Sequence, residues 1–191
     1  MRYTNLFALY GFITMFTFTL GCGTYLTFIV GARYFVVLDT FPLKMKGLIA
    51  LNLGATSYNA YLLFHGPESI VSIVCYLISL FLFLGTLRTV YRRKESGLSV
   101  AFSTDVPVRL IRSGPYAYIR NPFYTAYLLA FFAPLCSKWD GLSALFFTAM
   151  LLVYYNAARL EEKKFASSVL KEEYAAYYAS TGQFLPKFWR R

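Results

Sequence analysis

Apolar residues run through this chain in long unbroken stretches, not in the alternating or one-sided patterns of strands and helices that face water. Five stretches come close to the roughly 20 residues that a bilayer crossing needs. They are Leu6 to Val30, Gly47 to Phe64, Ser69 to Leu87, Phe123 to Cys136 and Gly141 to Ala158. The fourth has 14 residues and contains Pro134, which predicts a tilted, kinked or partly inserted span. The gaps His65-Gly66-Pro67-Glu68 and Ser137-Lys138-Trp139-Asp140 have room only for tight turns, so stretches two and three, and four and five, form helical hairpins. Tyr3 to Ala32 carries no charge, is longer than the apolar core of a signal peptide and ends in no small-x-small cleavage site, so it is expected to stay as an anchor. Beyond the fifth stretch, Glu161 to Ser180 reads as an amphipathic helix with Phe165, Val169, Tyr174, Tyr177 and Tyr178 on its apolar side.

Composition sharpens this picture. Of 191 residues 58% are hydrophobic and 15% charged, against roughly 25% charged in a soluble domain, and the excess apolar surface must face lipid. The expected fold is all-α: a single integral membrane domain over 1–191, a polytopic bundle of about five transmembrane helices. Residues 1–87 hold three spans, and 88–191 hold the chemistry and the last hairpin. The net charge of +10 is explained by topology. With the N-terminus outside, seventeen of the nineteen basic residues fall inside, leaving only Arg2 and Lys138 outside. Orientation and contact with anionic lipid account for most of them, and nucleic acid is not needed as a partner. Cys22, Cys75 and Cys136 lie in apolar runs without metal or disulfide spacing and read as buried small hydrophobes, and no metal site is expected. Gly21-Cys22-Gly23, inside the first span with no strand before it, reads as a close-packing site for a neighbouring helix.

Two segments depart from the economy of short turns. The connection from Arg88 to Arg120 is long, and it ends in Gly114-Pro115-Tyr116-Ala117-Tyr118-Ile119-Arg120-Asn121-Pro122-Phe123-Tyr124, where glycine and two prolines specify a fixed backbone path. At the far end of the last hairpin stands Arg159-Leu160-Glu161-Glu162, returned to the same inner face as Arg120. Adjacent carboxylates at the mouth of a membrane bundle are costly unless paired or used. A plainer reading is that Glu161 and Glu162 open the tail helix, whose N-terminal dipole suits acidic residues. The residues alone leave both open.

The string Gly114-Pro115-Tyr116-x-Tyr118-Ile119-Arg120-Asn121-Pro122-x-Tyr124, the Glu161-Glu162 pair, Glu172-Glu173-Tyr174 and Phe184-Leu185-Pro186 together resemble the isoprenylcysteine carboxyl methyltransferase and phospholipid methyltransferase superfamily. The resemblance covers Leu110 to Pro186. It implies that S-adenosylmethionine binds at the cytosolic face, in a pocket capped by the tail helix, leaving S-adenosylhomocysteine as product. It further implies cofactor contacts from Tyr116, Tyr118, Arg120, Asn121, Pro122, Tyr124, Glu161 and Glu162. Three departures are Asn121 where many members have His, Ala126 where Gly is frequent, and Val169-Leu170-Lys171 in place of Phe-Gly.

The expected reaction is direct methyl transfer to a lipophilic substrate, foremost carboxyl O-methylation of an isoprenylcysteine-like group. Arg159 and then Arg120 would hold the acceptor carboxylate, and Glu162 or a tyrosine would be the base if an amine must first lose a proton. Phospholipid N-methylation is the alternative within the class, and a non-enzymatic membrane assembly subunit is the alternative outside it. A sterol reductase, which also resembles the C-terminal half, would require a nicotinamide cofactor and a larger bundle. The only histidine, His65, falls in an outer turn and cannot serve as base. The expected partners are the bilayer and a lipid or lipidated substrate. The charge asymmetry predicts that residues 92–120 and the C-terminus react with cysteine reagents from the cytosolic side, and that positions 65 and 138 react from the other. Labelling of position 138 and of the long connection from one side would refute the five-span topology.

Overall fold

The computed structural model describes residues 2–31, 43–65, 69–92 and 109–187. They form six α-helices: α1 (Arg2–Gly31), α2 (Leu43–His65), α3 (Ile70–Arg92), α4 (Pro122–Ser137), α5 (Gly141–Ala166) and α6 (Lys171–Ser180). A 3-10 turn at Gly114–Ala117 precedes α4, and the described residues contain no strand beyond an isolated parallel bridge between Ile119 and Gly182. Ile13–Val30 of α1, all of α3 and all of α5 are long and apolar enough to cross a membrane, while α4 is a shorter apolar helix. The five expected stretches therefore all appear as helices in the expected order. The turn residues 66–68 and the basic residues Arg33, Arg93, Lys94, Arg190 and Arg191 lie outside the described residues.

The short α4 sits at the centre, packed along α3 and touching α5, α2 and α1. Its Ala126, Ala130 and Ala133 are fully buried, as are Ala55 of α2 and Ala157 and Ala158 of α5, because small side chains let helix backbones approach closely. Gly21 acts in this way: a Cβ there would stand 2.7 Å from Leu63 Cδ1 of α2, whereas Gly23 has open space. Around the buried seam, Leu26, Ile29, Ile70, Phe81, Leu145 and Leu152 are exposed, an outer surface suited to hydrocarbon. All three cysteines are free, but only Cys75 is buried; Cys22 and Cys136 are half-buried at helix surfaces, which corrects the expectation for those two.

Pro134 shapes the core. Lacking an N–H, it leaves the carbonyl of Ala130, four residues earlier, without its helical donor. Tyr25 of α1 supplies one: its hydroxyl donates to Ala130 O at 3.0 Å and accepts from Asn59 Nδ2 of α2 at 2.7 Å. Ser72 and Ser79 of α3 likewise donate to Ala133 O (2.6 Å) and Ala126 O (2.7 Å). Polar side chains thus join helices inside an apolar medium, where an unpaired group is expensive. At this same end of the hairpin, Asp140 caps α5 by accepting from the amides of Leu142 and Ser143, and Tyr58 of α2 donates to the same carboxylate oxygen.

Two expectations are overturned. α3 continues through Arg88 to Arg92, so the connection begins later than expected. More consequentially, Glu161 to Ser180 is not one helix: α5 runs through Glu161 and Glu162 to Ala166, and α6 starts afresh at Lys171. Ser167 Oγ donates back to the carbonyls of Lys163 and Lys164 and Ser168 Oγ to that of Phe165, satisfying the last carbonyls of α5 and ending it.

Tyr25→Phe should lower unfolding free energy by about 1–3 kcal/mol, the cost of stranding a buried carbonyl. In a Pro134→Ala background, where the helix amide can reclaim Ala130 O, the same change should cost clearly less. Equal costs in the two backgrounds, measured by denaturant unfolding in one detergent, would reject the link.

Candidate functional site

The approach to α4 is fixed by one glycine. Gly114 has φ +60, and a Cβ there would lie 2.1 Å from Thr89 Oγ1 of α3, so only glycine lets the chain cross that helix. Pro115 starts the 3-10 turn, and its carbonyl accepts from the amides of Tyr118 and Ile119 at 3.1 Å each. Asn121 then takes the N-cap position of α4, with buried Pro122 at the first helical position, where a missing N–H costs nothing.

The tail after α6 returns to this same place. The amides of Arg120 and Asn121 donate to the carbonyls of Gly182 (2.8 Å) and Gln183 (3.2 Å), and the Gly182 amide donates to Tyr118 O at 3.2 Å. Thr125 Oγ1 donates to Phe184 O at 3.0 Å. The turn is so tight that a Cβ on Gly182 would fall 1.7 Å from Leu185 O. Lys187 Nζ donates to the carbonyls of Tyr178 and Ala179 at 3.0 Å each, closing the C-terminus of α6.

Glu161 and Glu162 stand in the closing turns of α5, not at a helix start, so the plainer reading of them as dipole-favoured opening residues is corrected. At a helix C-terminus the dipole disfavours carboxylates, and both must find other partners. Glu162 Oε1 accepts from Arg120 Nε at 3.0 Å and from Asn121 Nδ2 at 3.4 Å. The Arg120 and Glu162 side chains are only 6% and 9% exposed, which makes this a desolvated ion pair. Arg120 Nη1 also donates to the carbonyls of Tyr178 and Thr181, and its guanidinium lies 4.0 Å above the Tyr178 ring. Glu161, half-buried, accepts from the Tyr124 hydroxyl at 2.5 Å. The Tyr124 ring stacks on Tyr154 (5.1 Å), which stacks in turn on Tyr127 (5.6 Å) and donates to Asn52 Oδ1 of α2.

The hairpin thus brings Arg120, Asn121, Tyr124, Glu161 and Glu162 together. Tyr116 joins through its backbone, since Tyr177 of α6 donates to its carbonyl at 2.7 Å. Burial pushes the Tyr177 hydroxyl up to about 12, a rise that the nearby Arg120 charge reduces, so it stays a donor throughout the ordinary pH range. Tyr118 is 60% exposed and contributes chiefly backbone. Arg159 is exposed one turn before Glu162 and pairs with no carboxylate among the described residues. On the outer side of α6, Arg112 pairs with Glu173 at 2.9 Å. Among the described residues, no group of His, Cys, Asp and Glu could hold a metal ion.

Sequence reasoning missed the segment from Thr181 to Lys187 as a structural member of the site. Gly182, shortly after a helix, and Phe184-Leu185-Pro186, read only as part of the family resemblance, were its local signals; the carbonyls it delivers carry no signature in a side-chain pattern. It also missed Gln183. This side chain's Nε2 is buried with no acceptor among the described residues.

A family model described as phospholipid methyltransferase matches residues 67–173, more than half of the chain. No curated protein matches it. The matched region runs from α3 through the start of α6 and so contains Arg120, Asn121, Tyr124, Tyr154, Glu161 and Glu162, but not Asn52 of α2, the last turns of α6 or the tail.

Arg120→Met should cost about 3–5 kcal/mol of stability by leaving Glu162 charged, buried and unpaired. Adding Glu162→Met should recover part of that loss. A double variant less stable than Arg120→Met, in thermal unfolding at one pH, would contradict the pairing.

Proposed function

The chain belongs to the phospholipid methyltransferase family, and from that premise we propose that it is an integral membrane enzyme transferring a methyl group from S-adenosylmethionine to the amine of a phospholipid headgroup of the phosphatidylethanolamine type, at the cytosolic face. The observation that carries the choice of acceptor is the engagement of Arg120. A carboxylate acceptor needs a cation, yet the Arg120 guanidinium already serves Glu162 and the carbonyls of Tyr178 and Thr181. What remains at the site is the Glu161 carboxylate, which accepts from the neutral Tyr124 hydroxyl and has the Lys164 ammonium as its nearby cation. A carboxylate not tied to a guanidinium suits an ammonium and a sulfonium.

The donor set also fits the cofactor. Glu161 and Glu162 each keep one carboxylate oxygen that no described residue engages, and the Tyr124 ring offers an aromatic face. S-adenosylmethionine, when bound, supplies an electrophilic methyl group on a sulfonium. We assign Glu162, held still by Arg120 and Asn121, to cofactor hydroxyl or ammonium groups. Glu161 would accept the proton that the headgroup ammonium must lose before its nitrogen lone pair is free to take the methyl group that the bound cofactor would supply. The packed helix ends position the partners and limit water.

A second reading, carboxyl O-methylation of an isoprenylcysteine-like group, is favoured by Arg159, which is exposed beside Glu162 without a carboxylate partner and could hold a substrate carboxylate. Single-turnover rates at saturating cofactor separate the two. With an unperturbed amine pKa near 10, N-methylation should gain about tenfold per unit between pH 6 and 8, and Arg159→Met should leave it undiminished. A nearly flat profile, with transfer lost in Arg159→Met, would move the assignment to a carboxylate acceptor.

A further inference from the structure

We infer that Gln183, in the tail segment, is a cofactor-binding residue whose side-chain amide donates to a neutral hydrogen-bond acceptor on the nucleoside part of the cofactor, an inference that rests on the methyl-transfer reading above. Its Nε2 is buried with no acceptor among the described residues, and a buried donor left unpaired costs a protein stability unless something else repays it. Gln183 is not loosely held. Its carbonyl accepts from both the backbone amide of Asn121 (3.2 Å) and Asn121 Nδ2 (3.3 Å), and that same Nδ2 reaches Glu162 Oε1 at 3.4 Å. Only one side chain therefore separates the Gln183 backbone from the carboxylate assigned to the cofactor. Gly182 before it and Phe184 after it are also tied down, through the Tyr118–Gly182 and Thr125–Phe184 hydrogen bonds, so the position of residue 183 is set from both sides.

Charge selects the class of acceptor. The Arg120 charge is already taken by Glu162 and the Lys164 charge acts on Glu161, so an anionic group such as a lipid phosphate would enter beside Glu162 with its nearest buried cation already matched. A purine ring or a ribose presents neutral acceptors and meets no such penalty. A glutamine, neutral and able to donate, suits that partner where Lys or Arg would recruit an anion.

The test uses the full chain in lipid nanodiscs containing phosphatidylethanolamine, comparing the parent with Gln183→Met, which keeps the length of the side chain and removes its donor. Three quantities are read: affinity for S-adenosylhomocysteine by calorimetry, KM for phosphatidylethanolamine, and Tm without added ligand. The expected result is a loss of about tenfold in S-adenosylhomocysteine affinity, with an unchanged lipid KM and an unchanged or raised Tm, since an unpaired donor has been removed. Gln183→Glu, which adds negative charge beside Glu162, should bind no better than Gln183→Met. Unchanged affinity in Gln183→Met overturns the assignment, as does a lowered Tm with unchanged affinity, which marks a purely structural residue. An effect confined to the lipid KM overturns it in favour of a headgroup contact. A parent protein that binds no S-adenosylhomocysteine at all would remove the methyl-transfer reading, and the role of Gln183 with it.

Discussion

The buried pair of Arg120 and Glu162 is the interaction on which the working end of this molecule depends. Neither charge could stay desolvated alone, and their attraction alone seldom repays the loss of hydration. The pair is tolerable because every neighbour adds a bond: Asn121 Nδ2 to the same carboxylate oxygen, the carbonyls of Tyr178 and Thr181 to the guanidinium, and the Tyr178 ring beneath it. Through these bonds one arginine joins the start of α4, the end of α5, the end of α6 and the tail. Lys187 reinforces the arrangement, its Nζ lying 5.6 Å from the Tyr178 ring. The site is therefore a knot of helix termini, and it exists only when all of them are in register.

The bundle that presents this knot obeys the rule that lipid offers no hydrogen bonds. Where a proline frees a carbonyl, a tyrosine from another helix takes it over, and where α4 meets α3 two serines donate to other α4 carbonyls. These polar contacts add specificity to a core whose alanines and single close-approach glycine permit tight contact without dictating which helices meet. Tyr124, Tyr154 and Tyr127 extend the same principle, linking Glu161 to Asn52 across three helices by alternating hydrogen bonds and stacked rings.

Much of this was legible in the sequence, for physical reasons. Long apolar runs can only be helices in lipid, so the order of α1 to α5 followed from hydropathy. The return of Glu162 to Arg120 followed from a hairpin too short to do anything else. The end of α5 was not legible in the same way. Apolar spacing continued through Ser167 and Ser168, and two serine side chains turning back onto carbonyls outweighed that periodicity. The tail was obscured because it acts through backbone carbonyls, which every residue type carries. The engagement of Arg120 was likewise hidden: a motif shows that an arginine is present, but not how many of its donors the fold has already taken.

The difference in length between α4 and α5 has a consequence for where chemistry can happen. The helices are joined by a three-residue link, yet α4 has 16 residues and α5 has 26. At about 1.5 Å per residue α5 is roughly 15 Å longer, and it continues four residues, about 6 Å, beyond Glu162, which is level with the start of α4. The start of α4 is therefore the floor of a step, with the last turn of α5 as its wall and the tail and α6 folded against it. Asn121 and Glu162 stand on that floor, below the level that α5 reaches. A molecule confined to the bilayer can approach such a recess from the side, while a water-soluble one must descend from above, so two reactants of opposite solubility could meet there without either leaving its own solvent.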